Sequence, residues 1–407
     1  MMEKEQLLKP EKNNTFCYYP FNQITLKRWN ENGELLSTSP CCMMTNDNRN
    51  DLIYSDTLKN QTPLEIFNSD KFQELRIDLE NGIRNKNCNI CWNKEDNNIE
   101  SHRLNSDGFD ENNLVSVDVT LSNLCNLRCR MCQPSNSHSL RKDYMKMKSL
   151  NLLNDFRKTT KTYYVSEEEI VLDNTKSYQY KWLLENTDKI KLIRASGGEP
   201  FYDKKMLAWL HKFIDNGHSK DTILEFHTNA TQFLNQDVID ININFKSVRH
   251  IFSIDGVDQT YEIIRHHKFD LLEESIDNFL KKCHNIDSIQ ISLVLSVFNL
   301  FNIKKWEEWI KLFFNNVKYR INIDPVYPTQ RGISIKRLPV HILEHAKNHS
   351  DNIQFRNLID EAIANNIENA ELLIKEVEIL DTVRDQNYNE YLDESIIEWI
   401  ESYHQTI

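Results

Sequence analysis

Hydrophobic positions from Leu114 onward switch regularly between two periods. Residues 115–122, Val-Ser-Val-Asp-Val-Thr-Leu-Ser, alternate apolar and polar with no Gly or Pro, which predicts a strand. Strand-like runs follow at 190–196, 222–228, 248–254, 288–297 and 319–327. Between them lie stretches with helical spacing, such as 206–214, Met-Leu-Ala-Trp-Leu-His-Lys-Phe-Ile. Alternation of this kind is the mark of a parallel α/β sheet, and six β/α units predict a partial, TIM-like (β/α)6 barrel over 106–335. The first connection is far longer than a crossover helix needs, so an insertion is expected at about 136–186. Past Pro339 the chain turns helical and acidic, and the spacing of 372–380, Leu-Leu-Ile-Lys-Glu-Val-Glu-Ile-Leu, predicts a helical C-terminal extension over 336–407 packed as a cap. Residues 1–105 form a small, cysteine-rich N-terminal domain.

The chemistry enters where the first strand ends. Cys125, Cys129 and Cys132 stand as C-x-x-x-C-x-x-C on the loop leaving it, the end at which parallel α/β folds place their sites. Three thiolates are one short of the usual four at a 4Fe-4S cluster, which leaves one iron open to another ligand. Zinc closed by His138 or a remote cysteine is the alternative reading of the same spacing. A second set comprises Cys17, the adjacent Cys41 and Cys42, and Cys88-x-x-Cys91. It offers four ligands for iron or, equally by spacing, for tetrahedral zinc. The chain has nine cysteines, no run of apolar residues long enough for a membrane span, and a polar start without a signal-peptide core. A cytoplasmic protein is expected, and there so many thiols point to metal or redox chemistry rather than disulfides. A formal charge of −12 disfavours nucleic acid as a partner.

The eight residues Cys-Asn-Leu-Arg-Cys-Arg-Met-Cys, together with Gly197-Gly198-Glu199-Pro200 after the second strand, resemble the radical S-adenosylmethionine (radical SAM) superfamily. Thr228-Asn229-Ala230 is similar to its T-N-G and Ser253-Ile254-Asp255-Gly256 to its S-x-D-G, in the family's order and each at a predicted strand end. The resemblance covers about 114–328, with Arg265 also at a position where relatives often carry Arg. It implies a 4Fe-4S cluster on Cys125, Cys129 and Cys132, and S-adenosylmethionine chelated to the open iron. It places Gly197, Gly198, Glu199 and Pro200 at the methionyl amino group, Met131 beside the adenine, and Asn229, Ser253 and Asp255 in the cofactor pocket. Met131 replaces the commoner aromatic residue, and Ala230 the commoner Gly. The implied reaction is reductive cleavage to a 5′-deoxyadenosyl radical that abstracts hydrogen.

The N-terminal pattern is similar to the twitch or SPASM modules of radical SAM maturases, which implies an auxiliary 4Fe-4S cluster on Cys17, one of Cys41 and Cys42, Cys88 and Cys91. An external one-electron reductant, flavodoxin- or ferredoxin-like, and a precursor peptide, protein side chain or small molecule as substrate complete the expectation. The competing readings are a non-catalytic iron-sulfur carrier or scaffold, which the intact Gly-Gly-Glu-Pro opposes, and an RNA-modifying enzyme, for which no basic accessory segment is evident.

Other residues carry less. His227 and Glu225 share strand parity with Asn229 and are candidates for proton transfer, as are Asp118 and Thr120, although a polar lining accounts for them as well. Cys283 reads as a buried small hydrophobe, the His266-His267 pair as surface, and Trp182, Trp209, Trp306 and Trp309 as core.

Overall fold

The structure is a computed structural model, and it describes residues 14–29, 34–44, 52–96, 101–104, 109, 112–160, 172–326 and 331–405. The last residue of the sixth expected strand and part of the expected insertion lie outside them. The chain divides into two compact units. The first comprises Met1–Leu121, Asp173–Ser196 and Trp209–Ile223, and the second Ser122–Leu172, Gly197–Ala208 and Leu224–Ile407.

Ten strands occur among the described residues: β1 (Gln23–Trp29), β2 (Leu35–Ser39), β3 (Ile53–Tyr54), β4 (Ser116–Val119), β5 (Leu192–Ala195), β6 (Ile223–Thr228), β7 (Ser247–Val248), β8 (Ile251–Ser253), β9 (Ile289–Leu295) and β10 (Tyr319–Pro325). In the first unit β4 is parallel to both β5 and β1, and β1, β2 and β3 run antiparallel in turn. One face of this sheet is apolar, with Ile24, Leu26, Val117, Val119, Ile193 and Ala195 almost wholly buried. In the second unit β6, β8, β9 and β10 are parallel neighbours. β9 alternates fully buried Ile289, Ile291, Leu293 and Leu295 with half-buried positions, as its sequence period requires. All six expected strands are present, with the fourth broken into β7 and β8, and the mixed α/β fold with parallel sheets fits a radical SAM, TIM-like architecture.

Within the first unit β1 pairs with β4 from Gln23↔Ser116 to Leu26↔Val119, so that an N-terminal strand lies beside the first of the expected strands. In the second unit, the helices Arg141–Ser149 and Leu153–Thr160 of the expected insertion pack on the C-terminal helix Ala370–Arg384. Leu140, Tyr144, Met147, Leu153 and Phe156 meet Ile379, Leu380 and Val383 there, and Cys132 packs against this cluster. At roughly 1.5–3 kcal/mol per fully buried large apolar side chain, that contact outweighs any single hydrogen bond around it. The amphipathic 206–214 stretch lies within the helix Lys204–Asp215.

Candidate active site and a second cysteine centre

The cysteine loop is built against the Gly-Gly-Glu-Pro turn. Gly197 and Gly198 have φ of +81° and +62°. A Cβ on Gly198 would stand 2.4 Å from the Leu124 carbonyl oxygen. The Gly198 N–H donates to Asn136 O at 2.9 Å, and the Glu199 N–H to Leu124 O at 2.7 Å. Gly198 is therefore needed for a close approach of two backbones, in addition to any approach to a ligand.

Glu199 is almost fully buried. Its Oε1 accepts from the Thr228 hydroxyl at 2.7 Å and the Phe201 N–H at 3.2 Å, and its Oε2 from the Asn229 N–H at 2.6 Å. Burial lifts its pKa to about 7 against these hydrogen bonds, which pull the other way. Thr228, on the strand face opposite to the one parity favours, is thus the β6 side chain that meets Glu199. Asn229 turns its Nδ2 to Asn126 Oδ1 at 2.8 Å and lies 3.9 Å from Cys125 Sγ. Ala230 adopts φ +58°, the conformation for which Gly is the natural residue.

The three sulfurs sit in a small apolar group in which Met131 and Cys132 pack against Cys125, Leu127 and Cys129. Burial pushes the Cys132 thiol up to about 12 and raises those of Cys125 and Cys129, and Arg265 opposes the rise at Cys129. The Arg265 Nη1 lies 3.6 Å from Cys129 Sγ, and its Nε is paired with the fully buried Asp255, whose Oδ1 accepts from the Val294 N–H at 2.7 Å. Despite its burial Arg265 is held charged by Asp255 and Cys129. Asp255 therefore supports a cation at the sulfurs, and Ser253 is the last residue of β8. His138, the alternative zinc ligand, uses its Nδ1 to accept from the Cys125 N–H at 3.1 Å and so shapes the loop.

Among the described residues no three His, Cys, Asp or Glu side chains stand in ready-made metal geometry. The donor set nevertheless fits a metal-sulfur group: three thiols on one loop, Cys125 and Cys129 buried and Cys132 half-buried, mutually unfavourable as thiolates, with a guanidinium and amide N–H groups directed at them. A bound cation would reverse their protonation outright.

Sequence reasoning missed a further group of charges. Arg130 pairs with Asp381 at 2.5 Å, Arg331 with Glu376 at 2.5 Å and Arg384 with Asp143 at 2.7 Å, all six side chains nearly inaccessible. Arg128 bridges Asp143 at 2.6 Å and the Nε2 of His266. His266 is consequently not ordinary surface: burial and the cations of Arg384 and Arg128 lower its pKa to about 4, leaving Nε2 as an acceptor. Arg331 and Arg384, lone arginines with no motif around them, carry no signal in one sequence. Cys283 is buried at the end of the helix Phe269–Lys282, and Trp182, Trp209 and Trp306 are core, with Trp309 half-buried against Phe269 and Phe313.

In the first unit, Cys17 and Cys41 share a cluster with Tyr19, Met44, Leu75, Leu79 and Trp92, and Cys88 packs against it. Cys88 ends a short 3-10 turn and Cys91 lies in the first turn of the helix Asn89–Asp96. Arg103 ties that helix to the segment before Cys17, through Glu95 at 2.5 Å and Phe16 O at 2.7 Å. Burial, then the neighbouring Cys42, Cys17, Cys88 and Cys91, raise the Cys41 thiol far above its usual range. Cys42 differs. Burial also raises it, but the charges it meets are Lys27, Asp118 and Arg194, and its Sγ lies 3.9 Å from His102 Nε2. Asp118 is paired with Lys27 at 2.7 Å, and Thr120 donates to Ser196 O at 2.7 Å.

A family model described as Radical SAM superfamily matches residues 119–313. No curated protein matches the chain. Solved structures that resemble it include Streptococcus suis SuiB bound to S-adenosylmethionine, at 12% identity and a TM-score of 0.33, over 58% of this chain and 43% of that one. Another is native anSMEcpe with bound AdoMet, at 14% identity and a TM-score of 0.37, over 62% and 63%. TYW1 with a lysine-pyruvate adduct bound gives 13% and a TM-score of 0.28, over 61% and 71%. The chain spans about half the length of the first structures it matches. Among the described residues no helix is long and apolar enough to cross a membrane. The match runs through the cysteine loop, the Gly-Gly-Glu-Pro turn and the β6 and β8 ends, so that residues 119–313 are similar to the radical SAM superfamily.

Proposed function

We propose that this protein reductively cleaves S-adenosylmethionine and uses the resulting 5′-deoxyadenosyl radical to abstract hydrogen from a peptide or protein side chain or a small molecule. The observation that carries the reading is the joining of the cysteine loop to the Gly-Gly-Glu-Pro turn and the Thr228-Asn229 corner through Glu199. Cys125, Cys129 and Cys132 would hold a 4Fe-4S cluster, which supplies the electron for cleavage when bound. Glu199, with its pKa near neutrality, ionises more readily beside an arriving ammonium group and so favours the amino-acid end of the cofactor. Arg265 stabilises the sulfurs' negative charge, and Met131 offers an apolar thioether to an adenine face.

In the first unit, Cys17, Cys41, Cys88 and Cys91 would close an auxiliary 4Fe-4S centre, a structural or electron-relay site, and Cys41 is preferred to Cys42 because of its packing and charged neighbours. A flavodoxin- or ferredoxin-like reductant and the reducing cytoplasm, which keeps thiols reduced, complete the proposal.

Anaerobically reconstituted protein, reduced and given S-adenosylmethionine, should form 5′-deoxyadenosine and bind about eight iron atoms. No 5′-deoxyadenosine even with cell extract present would overturn the enzymatic reading. About four iron atoms with zinc bound would overturn the auxiliary cluster alone. Weakened S-adenosylmethionine binding in Glu199→Ala separates an enzyme from a carrier, whose function needs no such pocket.

A further inference from the structure

The loop from Cys125 to Cys132 has little regular structure, so its carbonyl oxygens need partners from elsewhere. Three of them are met by guanidinium groups. Arg331 donates through Nη1 to Met131 O at 2.6 Å and through Nη2 to Arg130 O at 3.0 Å. Arg384 donates through Nη2 to Arg128 O at 2.5 Å. A fourth contact runs the other way, from the loop's own Arg130 to Asp381 at 2.5 Å and Gln386 Oε1 at 2.7 Å.

All of these groups are fixed by one helix. Ala370–Arg384 carries Glu376, Asp381 and Arg384, and the first two are counter-ions for Arg331 and Arg130. Glu376 also accepts from the Gly332 N–H at 2.7 Å, while a Cβ on Gly332 would meet Leu372 O at 2.4 Å, so the Arg331-Gly332 corner is seated directly on the helix. Tyr391 donates to Asp381 at 2.6 Å, and Arg384 is held in turn by Asp143. Such buried pairs gain little net stability over apolar packing, because desolvation cancels much of the attraction. What they do supply is direction: a planar fork aimed at chosen oxygens, and several kcal/mol lost if one partner goes.

We propose that Arg331, anchored on the C-terminal helix through Glu376, and Arg384, the last residue of that helix, are positioning residues of the cluster site, holding the cysteine loop in its ligating shape and coupling the docking of that helix to cluster binding. The proposal rests on the radical SAM reading of the loop. Each guanidinium also places a positive charge near the sulfurs: Arg331 lowers the cost of a Cys132 thiolate and Arg384 that of Cys129. Loss of either favours the less negative, oxidised cluster. Linkage adds a reciprocal consequence: if the docked helix favours cluster binding, the bound cluster must favour the docked helix by the same factor.

The test uses the anaerobically loaded protein and compares wild type with Arg331→Lys, Arg384→Gln, Arg384→Lys and, as a control, Lys375→Ala, a half-buried residue of the same helix that is paired with Asp155. Iron release to an excess of chelator should be about tenfold faster in Arg384→Gln and Arg331→Lys, partly restored in Arg384→Lys, and unchanged in Lys375→Ala. The reduction potential of the three-cysteine cluster should fall in Arg384→Gln, a readout that mere helix support would leave in place. Amide exchange in residues 370–384 of wild type should slow by about tenfold on loading. Loaded wild type and variants that share one release rate and one potential, with exchange indifferent to the cluster, would overturn the proposal. Wild type that takes up no cluster at Cys125, Cys129 and Cys132 overturns the underlying reading, and the proposal with it.

Discussion

The two cysteine centres solve the problem of buried thiols in opposite ways. At Cys125, Cys129 and Cys132 the ligands lie within eight consecutive residues, and the rest of the second unit brings charge and donors to them: Arg265 at Cys129, Asn229 near Cys125, and Arg331 and Arg384 on the carbonyls between. At Cys17, Cys41, Cys88 and Cys91 three separate segments gather thiols in an apolar cluster, where the chief influences on Cys41 are burial and the other cysteines, all of which raise its pKa. The first arrangement brings protein charge to the sulfurs and their loop. In the second, Arg103 favours the thiolates of Cys88 and Cys91 while Cys41 meets only burial and other thiols, so the proposed auxiliary centre would draw the rest of its compensation from a metal.

The largest effects should come from breaking one centre and sparing the other. Cys129→Ala is expected to abolish 5′-deoxyadenosine formation and remove about four iron atoms, leaving the N-terminal metal in place, as iron analysis and the electron paramagnetic resonance spectrum would show. Cys41→Ala should do the reverse to metal content, whereas Cys42→Ala should retain both centres. Equal metal loss from the Cys41 and Cys42 variants would erase the distinction drawn from their surroundings.

Next in size is a pair of glycines, one in each unit. Gly198 and Gly82 both have positive φ, at +62° and +78°, yet a Cβ at Gly198 meets the Leu124 carbonyl and one at Gly82 meets nothing within 4 Å. Gly82→Ala should cost about 1 kcal/mol, the conformational term alone. Gly198→Ala should cost about 3 kcal/mol or more, since the turn must also leave the cysteine loop, and it should weaken S-adenosylmethionine binding. Denaturant melts of the two variants decide between a strained turn and a docking contact.

How much of each centre was legible in the sequence follows from how local it is. The cysteine loop and its strand could be read because eight residues carry the ligands and the strand period of two precedes them. The parallel strands were legible for the same reason, since a buried strand declares itself over four to seven residues. What escaped was long-range. Arg331 and Arg384 act on a loop some 200 to 250 positions away, and the choice between Cys41 and Cys42 depends on Lys27, Asp118 and Arg194 from three different strands or their surroundings. Strand parity does not describe the corner that follows β6: the strand stops at Thr228, and the Thr228 hydroxyl and the Asn229 backbone N–H both donate to Glu199. β1 went unread because it pairs with β4 across ninety intervening residues.

Glu199 offers a pH-dependent test of the three-cysteine site. Its pKa is raised from 4.5 to about 7 in the fold. Below pH 4.5 it is neutral in both states. Between 4.5 and 7 the unfolded chain ionises first, so stability falls as pH rises through this window, by up to about 3 kcal/mol for 2.5 units at 1.36 kcal/mol each. Glu199→Gln should flatten that part of the unfolding profile of metal-free protein. A profile unchanged by the substitution would mean that Thr228, Asn229 and Phe201 compensate the buried charge fully.

The smallest expected effect concerns Ala230, fully buried at φ +58° beside the same carboxylate. Ala→Gly ordinarily loses about 0.5–1 kcal/mol through backbone entropy and, at a buried site, about 0.8 kcal/mol more for the methyl. Here relief of the left-handed conformation returns about 1–2 kcal/mol, so the terms nearly cancel. Ala230→Gly should therefore lie within about 1 kcal/mol of wild type, while Ala195→Gly, at an equally buried position in β5, should be destabilised by about 1–2 kcal/mol. Equal losses at the two positions would mean that Thr228 Oγ1, which accepts from the Ala230 N–H at 3.0 Å, and Ser275, which donates to the Ala230 carbonyl at 2.6 Å, offset the strain. The Thr-Asn-Ala corner would then be as rigid with alanine as with glycine, and the frame around Glu199 would owe its shape to hydrogen bonds rather than to backbone freedom.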